Sequence, residues 1–98
     1  MFADVFNANI GSWNVSSVTN MEGVFRSALA FNQDIGSWNV SSVTDMTYMF
    51  YVTSAFNQDL SGWCVDDIGS KPSNFDTSAN AWAGGSATRP QWGTCPGG

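Results

Sequence analysis

Histidine is missing from this sequence and basic residues are scarce: Arg26, Lys71 and Arg89 are the only cations among 98 residues. Without an imidazole, the usual general base for a serine or cysteine nucleophile is absent, so no enzyme activity is expected. Three cations against eight acids give a formal net charge of −5. That leaves no basic stripe to neutralise a phosphate backbone or an anionic bilayer, and nucleic acid is not expected as a partner. Two cysteines, Cys64 and Cys95, are too few for a structural zinc site and are not spaced as a redox CxxC pair; a single disulfide is the plainest reading. No apolar run is long enough for a membrane span, and the opening MFADVF lacks a basic leader. Direct membrane insertion is therefore not expected, and export would be specified elsewhere or in a longer gene product.

What the chain does contain is neutral polarity and repetition. Charged residues make up only 11% of it, so solubility rests on Asn, Ser, Thr and Gly, a balance that suits secreted proteins better than cytosolic ones. Its length allows one small domain with a modest core, near the size where a staple matters. A shift of 25 residues lays FNANIGSWNVSSVTNM, from Phe6, over FNQDIGSWNVSSVTDM, from Phe31. The same shift aligns Trp13, Trp38 and Trp63, then Val15, Val40 and Val65, then Val18, Val43 and Ile68, and finally Phe25, Phe50 and Phe75. A fixed period of this size marks units that cannot bury an apolar face alone and must stack on their neighbours.

Within a unit the apolar positions run Ile35, Trp38, Val40, Val43, Met46. Only Trp38-x-Val40 alternates like a strand, which predicts one very short strand near Ser37 to Ser41, laddered in parallel from coil to coil. Met46, Met49 and Phe50 fall at helical spacing, with Thr44 or Asp45 to cap a single helical turn. The expected fold is thus an α/β repeat, a short parallel solenoid with one strand and one helical turn per coil. Residues 1–68 would form the coils, with units beginning near Phe6, Phe31 and Phe56 and a truncated unit before Phe6. Residues 69–98 would form a degenerate last coil and cap. In that last coil Lys71 replaces the Met21/Met46 position, and Trp82 and Trp92 are available to cover the open face. Cys64 sits between Trp63 and Val65 and would point outward, so Cys95 could strap the tail over the edge.

The register Ile-xx-Trp-x-Val-xx-Val resembles the core of leucine-rich repeats, and WNVSSVTDMTYMFYVTSAFNQDI is similar to the repeat of BspA-like bacterial and mycoplasmal surface proteins. The likeness spans roughly Met1 to Ile68. It implies a right-handed leucine-rich-repeat solenoid at the cell surface, a role in adhesion or protein binding, and no enzyme activity. Carried over by position, it makes Ile10, Trp13, Val15, Val18, Met21 and Phe25 core residues, followed by Ile35, Trp38, Val40, Val43, Met46 and Phe50. It also makes the outward strand face the ligand surface: Ser12, Asn14 and Ser16, then Ser37, Asn39 and Ser41.

Other readings of these columns are blander. The tryptophan column could be a sugar-stacking platform, but its alternation with the valines favours burial. Asn9, Asp34 and Asp59 form a column in which Asp34 and Asp59 are calcium candidates; calcium needs six to eight oxygens, and no loop of known calcium-binding pattern supplies them. No metal or cofactor is expected. Asp66 and Asp67 read as a solvated pair. Thr19 and Thr44 make too short an array for binding ice or a crystal face. The function expected is a non-enzymatic surface or secreted module that adheres to protein or carbohydrate, the alternative being a structural spacer from a longer stalk. An end-to-end homodimer through the uncapped N-terminal coil is also expected.

Overall fold

An apolar residue at every third position can be one face of a helix or the two ends of a β-turn, and this chain takes the turn. The computed structural model describes residues 7–96. In the first unit, Trp13, Val18, Val24 and Ala28 donate their N–H groups to the carbonyls of Ile10, Val15, Met21 and Phe25. In the second, Trp38, Val43, Met49 and Thr53 donate to Ile35, Val40, Met46 and Phe50 in the same way. All eight bonds span 3.0–3.3 Å, so each coil is a succession of tight turns, and in the second unit the first and last residues of every one are buried.

The expected α/β leucine-rich-repeat solenoid is therefore overturned. Among the described residues there is no α-helix and no β-strand, only an isolated parallel bridge between Asn20 and Asp45 and one 3-10 turn, Gly85–Thr88. Two local causes account for this. The strand expected near Ser37 to Ser41 fails because the Ser41 N–H donates to the Asn39 side chain rather than to a neighbouring strand. The helical turn expected after Asp45 fails because Tyr48 and Val52 take positive φ, 60° and 56°, which a right-handed helix does not admit. Asp45 does cap, its carboxylate accepting the Thr47 N–H at 2.9 Å, but the residues it caps form a turn.

The 25-residue repeat still governs how the turns stack. Met21, Gly23, Phe25 and Ser27 donate backbone N–H groups to the carbonyls of Asp45, Thr47, Met49 and Tyr51 in the next unit. Tyr48, Phe50 and Val52 do the same toward Ser73, Phe75 and Thr77. Side chains reinforce the register on the other side of the coil. Asn7 Oδ1 accepts the Asn32 N–H, Asn32 Oδ1 accepts the Asn57 N–H, and Asn57 Oδ1 accepts the Ala83 N–H, a ladder that explains the copied FN dipeptide. The copied glycine has a steric reason: a Cβ at Gly11 would lie 2.6 Å from the Asp34 carbonyl oxygen, and one at Gly36 2.9 Å from that of Asp59.

The core is a pile of aromatic rings. Phe25 stacks on Phe31 with centroids 4.2 Å apart, and Phe50 on Phe56 at 4.5 Å. Trp38 lies parallel to Trp63 at 6.5 Å. Such pairs add about 0.5–1.5 kcal/mol each beyond the burial of their area. The tail closes the pile: Trp82 packs edge-on against Phe56 and Phe50, and Trp92 edge-on against Phe75. Leu60 and Val65 donate to Thr88 and Thr94 of the tail, and the expected Cys64–Cys95 disulfide ties it down. The result is a small globule with a radius of gyration of 12.2 Å, ordinary for this length.

One predicted core residue is out of place. Trp13 is 59% exposed, whereas Trp38 and Trp63 are buried. The difference arises at the indole N–H. Trp38 Nε1 donates to the Ile10 carbonyl at 3.1 Å and Trp63 Nε1 to the Ile35 carbonyl at 3.0 Å, in each case one unit back. Val18 is only partly buried, against the same core. The truncated unit before Phe6, and with it most of the open end expected to pair with a second chain, lies outside the described residues.

Candidate functional site

The SWNVS segments expected to bind ligand are turns, and their copied polar groups have work to do within them. Asn14 Oδ1 accepts from both the Ser16 N–H, at 3.0 Å, and the Ser16 hydroxyl, at 2.6 Å; Asn39 and Ser41 repeat the arrangement. These are Asx-turns, in which the side chain takes the place of a backbone acceptor. Ser12, Asn14, Ser37 and Asn39 face solvent, and Ser16 and Ser41 are half-buried, so the six residues form no strand face. The Asn9, Asp34, Asp59 column is built likewise. Their side-chain oxygens accept the N–H groups of Gly11, Gly36 and Ser61 at 2.9–3.1 Å. Bonding to Ser61 holds the Asp59 carboxyl below its ordinary value. No group of three or more His, Cys, Asp or Glu comes together among the described residues.

The structure instead brings side chains together at the cap, where the repeat has ended. Lys71, Asp76, Arg89, Pro90, Gln91 and Trp92 line a cavity of about 340 Å³ between the last coil and the tail. Asp76 is its centre. One carboxylate oxygen takes the Lys71 ammonium at 2.7 Å and the other the Arg89 Nε at 3.0 Å. Burial pushes the Asp76 carboxyl up, but the hydrogen bonds and charges of Lys71 and Arg89 outweigh it and hold the group below its ordinary value. The carboxylate is thus kept ionised and fully engaged, a poor acid or base and a good anchor.

Arg89 is fixed from every side. Its Nη1 donates to the carbonyls of Trp82, Ala83 and Gly85 at 3.1–3.2 Å, and the guanidinium lies 4.1 Å from the Trp82 ring centroid. A planar fork with five donors suits such a junction in a way that lysine would not. Lys71 differs: half of its side chain is exposed, and Asp76 occupies only one of its three donors. Gln91 donates through Nε2 to the Ser86 and Arg89 carbonyls, which fixes its amide at the rim.

A second surface feature lies on the coils. The Arg26 guanidinium sits 5.0 Å from the Tyr48 ring centroid and 5.2 Å from that of Tyr51, and the two rings meet edge to face. Neither feature was legible in the repeat. Arg26, Tyr48 and Tyr51 occupy positions that are not copied between units, and the cap residues lie where the period has been lost; the only signal was their departure from the pattern.

The family model described as Mycoplasma protein of unknown function, DUF285, matches residues 1–86. The chain belongs to this family. The match takes in every coil of the DUF285 chain and runs into the tail, stopping at Ser86, within the cap and before Arg89 and Trp92. No curated protein and no solved structure gives a significant match.

Proposed function

We propose that the protein is a non-enzymatic interaction module of the cell surface or extracellular space, adhering to protein or carbohydrate. The observation that carries this reading is the cap cavity. It offers an aromatic wall, Trp92, beside fixed polar groups, while its one carboxylate is locked between two cations and no histidine exists to move a proton. The resemblance of the repeat to BspA-like surface proteins and the disulfide support a setting outside the reducing cytosol. The test is binding of the labelled chain to panels of matrix proteins and glycans. Retention on one class of ligand, lost in Trp92→Ala with the fold intact, is the expected result; a blank panel refutes the reading.

Trp13 favours the second reading, a structural spacer. In the other units of this column the indole N–H closes on the carbonyl of the preceding unit, so an exposed Trp13 is shaped to receive another unit of the same build. A chimera carrying one extra copy of residues 7–31 ahead of Asn7 would bury Trp13 and melt higher if this holds. Unchanged acrylamide quenching would exclude it.

A further inference from the structure

The charges of the molecule are distributed unevenly, and the unevenness falls on the cap cavity. Among the described residues, Lys71 and Arg89, two of the three cations in the sequence, line it against one carboxylate, Asp76, so this lining is net positive in a chain of net charge −5. Clefts concentrate the field of the charges that line them, and this one favours an anion where the rest of the surface disfavours it. Asp76 offsets one of the two positive charges, and the second is left uncompensated by any carboxylate among the lining residues.

The remaining lining defines what kind of anion fits. Arg89 has its Nε on Asp76, its Nη1 on three carbonyls and its face on the Trp82 ring, while the half-exposed Lys71 carries two donors that Asp76 does not occupy and is the more open of the two cations. Trp92 and Pro90 supply an apolar wall, and Trp92 is held upright by its edge contact with Phe75 at 4.8 Å. Gln91 has its amide nitrogen bonded inward, which leaves its oxygen as an acceptor for a hydroxyl. At about 340 Å³ the space is at the small end of ordinary ligand pockets, about 300–1,000 Å³. A saturated ring with an apolar C–H face, one carboxylate and several hydroxyls satisfies all of these features together.

We propose that the cap cavity binds an acidic sugar residue, a uronate-type ring of an anionic glycan, with its carboxylate on Lys71, its ring against Trp92 and a hydroxyl on Gln91. This rests on the reading of the chain as an interaction module and narrows it to one ligand class. Lys71 and Trp92 are the determinants of binding, and Arg89 positions the site through Asp76.

The test is a titration of the full, disulfide-bonded chain with glucuronate and with an oligouronate, followed by tryptophan fluorescence and calorimetry, beside glucose and a neutral oligosaccharide of the same length. Binding of the uronates that weakens with added salt is expected, together with none measurable for the neutral sugars. Lys71→Met should raise Kd about tenfold, the scale of one charge-assisted hydrogen bond. Arg26→Met removes the same charge at a residue that does not line the cavity and should leave Kd unchanged, which separates local from global charge. Equal binding of neutral and acidic sugars overturns the proposal while leaving carbohydrate adhesion standing. Uronate binding that Lys71→Met and Arg26→Met weaken alike also overturns it, since net charge then suffices. Retention of matrix proteins with no uronate binding overturns the sugar ligand but not the interaction module, and no binding of any kind overturns both.

Discussion

The same conservative substitution, Trp to Phe, should have opposite consequences at sequence positions that look alike. At Trp63 the ring is fully buried and its N–H donates to the Ile35 carbonyl at 3.0 Å. Phe in its place removes that bond while the Ile35 carbonyl keeps the Trp38 N–H, a net loss of about 0.5–1.5 kcal/mol. The smaller ring also leaves a void, adding about 1–2 kcal/mol, so Trp63→Phe should lose about 2–3 kcal/mol. Trp38→Phe should behave similarly, since its bond to Ile10 is equivalent. Trp13 is 59% exposed, and Trp13→Phe should stay within about 0.5 kcal/mol of the parent. For a domain holding about 5–15 kcal/mol in all, the loss at Trp63 is severe, and at about 4–8 °C per kcal/mol it lowers Tm by about 8–24 °C. Urea and thermal unfolding read by the fluorescence of the remaining tryptophans would measure all three. Equal losses at Trp13 and Trp63 would refute the account, because the stability would then depend on the sequence position and not on the neighbouring carbonyl.

Three further outcomes rest on particular residues. Val52 is β-branched and holds φ at 56°, a conformation that costs such a residue about 1–2 kcal/mol; Val52→Asn should raise the urea midpoint, and a lower midpoint would show that its half-buried side chain matters more. Replacing Cys64 and Cys95 by Ser opens a link spanning 31 residues of sequence, and the chain-entropy relation puts the loss at about 4 kcal/mol, measurable by thermal melting against the oxidised parent. The Asp76 carboxyl has a folded value below its unfolded one, so its stabilisation is complete above the unfolded value, about 3.9, and is lost as pH falls through the folded value. Asp76→Asn should therefore be less stable than the parent at neutral pH and show a flatter acid limb in a pH series of melts; parallel limbs would remove Asp76 from the linkage.

How much of this was legible depended on which interactions repeat. The period of 25 residues was plain, because stacking places Phe25 under Phe50 and the Asn7, Asn32, Asn57 ladder in register only if the residues recur at that interval. The pairing of Cys64 with Cys95 was legible because there was no other partner to choose. Secondary structure was not. Trp38 and Val40 alternate as in a strand and Met46 and Met49 are spaced as in a helix, but both spacings also fit a chain of turns, and the choice was made by the Asn39 side chain at the first and by the positive φ of Tyr48 and Val52 at the second. Nor was the cavity: Lys71, Asp76, Arg89 and Trp92 share no period, and only the fold of the tail brings them together.

The sequence by itself therefore determined the composition of the core, the 25-residue stacking interval, the lack of an imidazole base and the covalent strap. Local spacing and identity suffice for these, since each is a property of one repeat or of one pair. Tertiary structure alone decided that the coils are built from turns, that Trp13 faces water while its counterparts are buried, and that two of the three cations meet at one cavity. These depend on which carbonyl, ring or charge arrives from elsewhere in the chain, and a hydrogen-bond donor or an ion has no assigned fate until that partner is in place.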